Sequence, residues 1–238
     1  MPARSGCPSP SETHILEQLL AKGHSVVVTP RPPPPPSPRP AGTPSPSPTS
    51  TTAPSAAYRA SKTLAERAAW AFVRDPRNAA RFDLVTVNPP LVFGPVVHHV
   101  ASLDSINTSN ARIVDCLRGR WRAQGIPSTG PVVIWVDVRD VAAAHVKAGL
   151  EIPEAGGKRL FVVSGLYSNA ELAALARKHF PEDKAKLPTE ETKGGELPRE
   201  EERFGYDNSA TSKLLGIEWV GLEKSVVDTV KSLKAVGA

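Results

Sequence analysis

The chain has 238 residues, enough for one large or two small domains, and its 40% hydrophobic and 22% charged content is that of a globular protein with few aromatics. A net charge of +5 and a pI near 9.3 suit an anionic ligand, but the basic residues are dispersed with few aromatics among them, which argues against nucleic acid. Cys7 and Cys116 make neither a disulfide framework nor a metal cluster, His98 and His99 lack partners at metal-ligand spacing, and no apolar run approaches the ~20 residues of a membrane span. The first ten residues have no apolar core of the secretory kind, so the expectation is a reduced, cytoplasmic setting with no metal and no membrane.

Residues 9–29 read as helix, turn and strand. Ser9 and Glu12 make a capping box, Pro10 takes the first helical position, Gly23 ends the helix, and Val26 to Val28 begin a short buried strand. Residues 30–56 then hold twelve of the 25 prolines, no aromatic residue and nothing more apolar than alanine. Such a segment builds no core and is expected to be extended and mobile. A flexible insert is the main reading; a ligand for a proline-recognition module is the other.

The stretch "SAAYRASKTLAERAAWAFVRDP" reads as one helix, started near Ser55 and stopped by Asp75-Pro76. Leu64, Ala68, Ala71 and Phe72 are expected to form its buried stripe, with Arg59, Thr63, Arg67 and Arg74 on the wet side. Tyr58 and Lys62, four residues apart, are neighbours on a third stripe. A nearby ammonium favours the phenolate form, which suits a general acid or base. By itself the pattern is short, and a plain surface pair is the more common meaning.

Leu84 to Val87 then suit a central parallel strand, followed by a rigid loop of Pro89, Pro90, Gly94 and Pro95 at its carboxyl end. Residues 132–136 make a further strand, Asp137 caps a helix running to about Leu150, and "KRLFVV" is another strand. Ser168 and Glu171 cap the next helix; Leu222, Val226, Val230 and Leu233 mark the apolar side of the last. Strands alternating with helices argue an α/β fold: an incomplete Rossmann-like parallel sheet flanked by helices, with a smaller C-terminal substrate lobe. The expected division is residues 9–96, a degenerate dinucleotide-binding region, and 97–238, the substrate lobe with interleaved Rossmann elements.

Four segments in register, "AYRASKTLAERAAW", "VNPPLVFGP", "VDVRDVAAAHVKAGL" and "KLLGIEWVGLEKSVVDTVKSL", resemble an extended short-chain dehydrogenase/reductase. The similarity covers residues 11–31 and 57–238 and is nearest the NADPH-dependent ketone/methylglyoxal reductases and dihydroflavonol-reductase-like enzymes. The resemblance implies NADP as cofactor and a small carbonyl compound as substrate. It implies Tyr58 as proton donor to the carbonyl and Lys62 as holder of the nicotinamide ribose. It also implies Val92 and Ser109 as cofactor contacts, Arg31 as the partner of the 2′-phosphate, and Gly6 as the one alignable glycine of the phosphate turn. Sugar-nucleotide epimerases and hydroxysteroid dehydrogenases share the tyrosine–lysine pair, but the "NPPLVFGP" and "SVVDTVKSL" matches favour the reductases.

Two departures bear on activity. Ser9 and Glu12 stand where the resemblance wants small residues, and a capping box there occupies the N–H groups that would bind pyrophosphate. The proline-rich segment replaces three strands and the serine that positions the carbonyl; none of Ser50, Thr51, Thr52 and Ser55 takes that role. In a sheet of order 3-2-1-4-5-6 the surviving strands two and six are not neighbours. The expectation is a carbonyl reductase by descent with weakened cofactor binding. The alternative is an impaired remnant, the product of a splicing or reading-frame error, with no activity and with interactions made through its proline-rich stretch.

Overall fold

The computed structural model describes residues 10–24, 52–78, 82–97 and 102–237. The expectations for Gly6, Cys7, Ser9, Val26 to Val28, Arg31, His98 and His99, and nearly all of the proline-rich segment fall outside those residues.

Five short strands carry the architecture: β1 (Thr86–Asn88), β2 (Leu91–Phe93), β3 (Ile134–Asp137), β4 (Arg159–Phe161) and β5 (Gly165–Leu166). β1 pairs with β4 in parallel, while β3 pairs with β2 in parallel and with β5 in antiparallel. Two of these segments differ from the sequence expectation. The strand expected over 84–87 begins at Thr86, and Leu91 to Phe93, expected within a loop, pair with Trp135 to Asp137. Three residues between prolines and a glycine are too short a run to show a period, so β2 is visible only once β3 lies beside it. The β2–β3 pairing also crosses the expected division at residues 96 and 97.

The pleat of β2 and β3 sends alternate side chains into two cores. Phe93 and Trp135 face one side, where Tyr167 meets Phe93 edge-on at 5.0 Å and Trp135 packs tilted at 5.9 Å. Covering that side are α3 (Thr108–Leu117), α6 (Asn169–His179) and α8 (Leu222–Ala235), which contribute Ile113, Leu117, Leu172, Val226 and Val230. Val92 and Val136 face the other core, filled by α5 (Val138–Val146) and α7 (Ser209–Leu215) through Val141, Ala144 and Leu215. Helix α4 (Arg120–Gln124) buries Trp121 beside the first core. The last helix presents the apolar side expected of it, whereas α3, α4 and β5 carried no expectation.

Helix α5 starts where its sequence says it should. Asp137 has extended backbone angles and its side chain accepts the Arg139 N–H at 2.8 Å. The helix ends earlier than expected, at Val146, and widens into a π-turn over Lys147–Glu151. Ser168 caps α6 by accepting the Glu171 N–H at 3.1 Å, as read from the sequence.

Two N-terminal helices join this body. α1 (Pro10–Ala21) lies against α5: His14 Nε2 is 3.1 Å from the Pro95 carbonyl, Gln18 donates to the Arg139 carbonyl, and Lys22 pairs with Glu151. α2 (Thr52–Arg74) begins three residues before the expected Ser55. Its orientation corrects the expected burial. Leu64 and Phe72 are 62% and 51% exposed, and Ala68 and Ala71 are exposed with them. The partly buried residues are Glu66, Ala69, Trp70 and Val73. The stripe with the best hydrophobic spacing is turned outward because the carboxylate of Glu66, on the other side, finds polar partners on the sheet in Thr86 and Arg159.

Candidate active site

Tyr58 and Lys62 lie one turn apart on α2, with Lys62 Nζ 5.6 Å from the centre of the Tyr58 ring. A spacing of four residues on a regular helix gives this neighbourhood directly. Tyr58 is 64% exposed. Its backbone carbonyl accepts from Ser61 Oγ at 2.7 Å. Lys62 lines a shallow cleft between α2 and β1 together with Thr63, Glu66, Thr86, Val87, Asn88 and Arg159. At about 360 Å³ the cleft is at the small end of ligand sites and takes one end of a dinucleotide, not the whole.

Glu66 sets the height and rotation of α2 above this cleft. Its Oε1 accepts from Arg159 Nε at 2.6 Å, from the Thr86 hydroxyl at 3.2 Å and from the Trp70 indole at 3.3 Å. Its Oε2 accepts from Arg159 Nη2 at 3.1 Å. The guanidinium, with the two neutral donors, holds the Glu66 carboxyl below its usual range against the opposing effect of burial. One side chain thus ties the helix to both β1 and β4. Glu66 was not singled out from the sequence.

Val92 and Ser109, the other two cofactor-contact expectations within the described residues, are brought together. The Ser109 hydroxyl accepts the Val92 N–H at 3.1 Å, and Asn107 Nδ2 donates to the Val92 carbonyl at 3.2 Å. One turn on, Asn110 Nδ2 donates to the Gly94 carbonyl at 2.9 Å. The start of α3 therefore holds the end of β2 by three side chains, two of them asparagines the sequence reading passed over. Gly94 has φ +132°, and a Cβ there would fall 2.6 Å from Val138 Cγ1, so only glycine lets β2 run this close to α5. The cleft at Lys62 and the clamp at Val92 are joined in the chain by Asn88, Pro89, Pro90 and Leu91.

Asn107 Oδ1 and Asn110 Oδ1 are buried without a hydrogen-bond partner. A buried acceptor of this kind calls for a donor. A carboxamide such as that of nicotinamide carries two N–H donors, so the residues around Val92 fit that end of the cofactor. The cleft beside Lys62 has hydroxyl and amide groups, from Thr63, Thr86 and Asn88, that suit a ribose. Among the described residues, no group of histidine, cysteine and acidic side chains could hold a metal ion, and no helix is long and apolar enough to cross a membrane. Cys116 is a buried free thiol pushed up to about 12 by that burial, which leaves it unreactive.

Comparison with known proteins bears on the family and the fold. The chain is 46% identical over 180 residues to "Ketoreductase azaE" of Aspergillus niger, an alignment covering 76% of this chain and 51% of the relative. It is 31% identical over 188 residues to "NADPH-dependent methylglyoxal reductase GRE2" of Saccharomyces cerevisiae, covering 76% and 51%. Among solved structures, Gre2 from Candida albicans superposes with a TM-score of 0.60 at 31% identity, covering 78% of this chain and 54% of that one. Yeast methylglyoxal/isovaleraldehyde reductase Gre2 complexed with NADPH superposes at 0.61 and 28% identity, covering 77% and 53%. The chain spans about half the length of the curated relatives it matches. The profile of the NAD dependent epimerase/dehydratase family matches residues 34–164, more than half of the chain. With the parallel α/β sheet and the paired tyrosine and lysine already in view, the chain belongs to the NAD dependent epimerase/dehydratase family.

Proposed function

We propose that this chain carries the proton-donor helix and the nicotinamide end of an NADPH-dependent carbonyl reductase, and that it turns over slowly. The observation that carries the reading is the juxtaposition of Tyr58 with Lys62 beside a cleft at the end of β1. Lys62 holds the ribose hydroxyls and keeps a positive charge beside the phenol. Val92, Ser109 and Asn107 hold the nicotinamide end, and Arg31 the 2′-phosphate. When bound, the reduced cofactor supplies the hydride that adds to the carbonyl carbon. Tyr58 gives its hydroxyl proton to the carbonyl oxygen, the C=O becomes CH–OH, and the phenolate recovers a proton from solvent. That phenol is 64% exposed, so water is not excluded from the step. A carboxylate at position 12, in the first turn of α1, disfavours pyrophosphate there.

Exposure and a weakened phosphate grip together favour slow turnover, since misplacement by about 1 Å costs on the order of 100-fold in rate. The test is NADPH oxidation with a panel of small ketones, aldehydes and diketones, run beside Tyr58→Phe and with NADPH binding followed by fluorescence. Slow turnover lost in Tyr58→Phe supports the reading. Tyrosine-dependent turnover at an ordinary rate, roughly 1–1000 per second, overturns the slow half of it. No NADPH binding, with no difference between the parent and Tyr58→Phe, leaves the second reading, a remnant without activity.

A further inference from the structure

Three consecutive residues after β2 are held by three different helices. Asn110 on α3 donates to the Gly94 carbonyl at 2.9 Å, and the Val96 N–H donates to Ser232 Oγ on α8 at 2.9 Å. Between them, the Pro95 carbonyl lies 3.1 Å from Nε2 of His14 on α1, 81 residues earlier in the chain. A carbonyl only accepts, so Nε2 carries a hydrogen and donates it, whether the ring is neutral or charged. This strap continues the segment at Val92 that α3 clamps, and so joins α1 to the nicotinamide end of the candidate site.

The way α1 is seated gives that bond its weight. Among the described residues of α1, His14 alone is buried, at 5% exposure, while Ile15, Leu16 and Leu19 are half-buried and Leu20 is exposed. No described residue of α1 belongs to either hydrophobic core. His14, Gln18 and Lys22 follow one another at four-residue spacing and form a single stripe. Each makes a polar contact: His14 with Pro95, Gln18 with the Arg139 carbonyl at 3.1 Å, and Lys22 with Glu151. Lys22 and Glu151 both stand partly in solvent, so their pair adds little. The buried end of the stripe is His14, whose other nitrogen, Nδ1, faces the exposed Glu17 carboxylate at 3.4 Å.

We propose that His14 is a positioning residue: its Nε2–H latches α1, and with it the pyrophosphate end of the cofactor site, to the strap that carries the nicotinamide end. The two ends of one dinucleotide bind well only when their separation is fixed beforehand. Gln18 and Lys22 hold the C-terminal half of α1 against α5 and the turn after it. His14 sets the N-terminal half, the one nearer the phosphates. The effect on cofactor affinity rests on the cofactor reading proposed above, whereas the latch itself is a property of the fold.

His14→Leu keeps an apolar side chain in the space and removes the donor; His14→Gln restores an N–H close to where Nε2 stood. Amide hydrogen exchange on the full chain reads the latch, and an NADPH fluorescence titration reads its consequence. His14→Leu should speed exchange about tenfold along α1 and at the Val96 amide, as for one hydrogen bond lost. Val141, Leu172 and Val230, in the two cores, should exchange as in the parent. NADPH affinity should fall about tenfold, and His14→Gln should recover most of both effects. If the parent binds no NADPH, the cofactor reading fails and the exchange result alone decides the latch. Exchange in His14→Leu equal to that of the parent overturns the proposal, because filling the space would then suffice. So does faster exchange confined to α1 with Val96 unchanged, or a His14→Gln variant that behaves like His14→Leu. NADPH binding by the parent that His14→Leu leaves unchanged overturns the positioning role.

Discussion

Glu66 and Arg159 meet at 2.6 Å across the gap between the helix that bears Tyr58 and Lys62 and the strand β4, and on the helix side only Glu66 among the described residues makes such a bridge. Glu66→Ala should loosen residues 58–74 without melting the two cores, which lie elsewhere. Its direct cost is modest, about 1 kcal/mol, because the Arg159 side chain is 63% exposed. The larger effect should be local: faster amide exchange along α2 and any NADPH affinity reduced, with both restored by the swap of Glu66→Arg and Arg159→Glu. The pH dependence follows from the lowered carboxyl of Glu66. The pair contributes fully above the ordinary glutamate range and its contribution disappears as pH falls through the lower folded value.

Leu64 offers a sharp contrast with what its spacing suggests. With 62% of it exposed on the outer face of α2, Leu64→Lys should change stability by no more than about 0.5 kcal/mol. Thermal unfolding of the variant checks this, and a collapse of the fold would show that the outward stripe is covered after all.

Asp137, Arg139 and Asp228 form the opposite case, a network that the fold depends on. Arg139 grips the fully buried Asp137 through Nε and Nη2 at 2.8 and 2.9 Å and reaches Asp228 on α8 at 2.6 Å. Both carboxylates push its already high pKa higher, Asp137 first, against burial. Arg139→Met would leave Asp137 buried and unpaired, at a cost of about 3–5 kcal/mol. Asp228→Asn should cost far less, since Asp137 keeps its partner. Urea unfolding of the two variants would separate them.

Asp140 gives the chain a pH dependence of the other sign. Burial pushes its carboxyl up to about 6, from 3.8, and the neighbouring Asp137 adds to this. The Val220 N–H at 2.9 Å and the Ser164 hydroxyl at 3.4 Å, with the charge of Arg139, oppose it. The native state holds its proton longer, so stability present below about 3.8 is lost as pH rises through about 6. Asp140→Asn keeps an acceptor for Val220 and removes the charge. It should stabilise the protein by about 1–3 kcal/mol at pH 8 and by nothing at pH 3.5. Equal stabilisation at both values would show that ionisation of Asp140 is not the cause.

Local order was legible in the residues themselves. Pro10 and Gly23 bracket α1, Asp137 and Ser168 cap α5 and α6, and the period of Leu222, Val226, Val230 and Leu233 marks the buried side of α8. Caps and periods are interactions between residues a few positions apart, so the chain states them without its fold. The neighbourhood of Tyr58 and Lys62 is of the same kind, set by one helical turn. Which way their helix faces is not. Leu64 and Phe72 had the better apolar spacing, but Glu66 had Arg159 and Thr86, partners 93 and 20 residues away. The strand status of Leu91 to Phe93 and the clamp of Asn107, Ser109 and Asn110 on Val92 and Gly94 are likewise relations between distant segments. Such relations depend on which groups the fold brings within hydrogen-bond reach, and that only the tertiary structure decides.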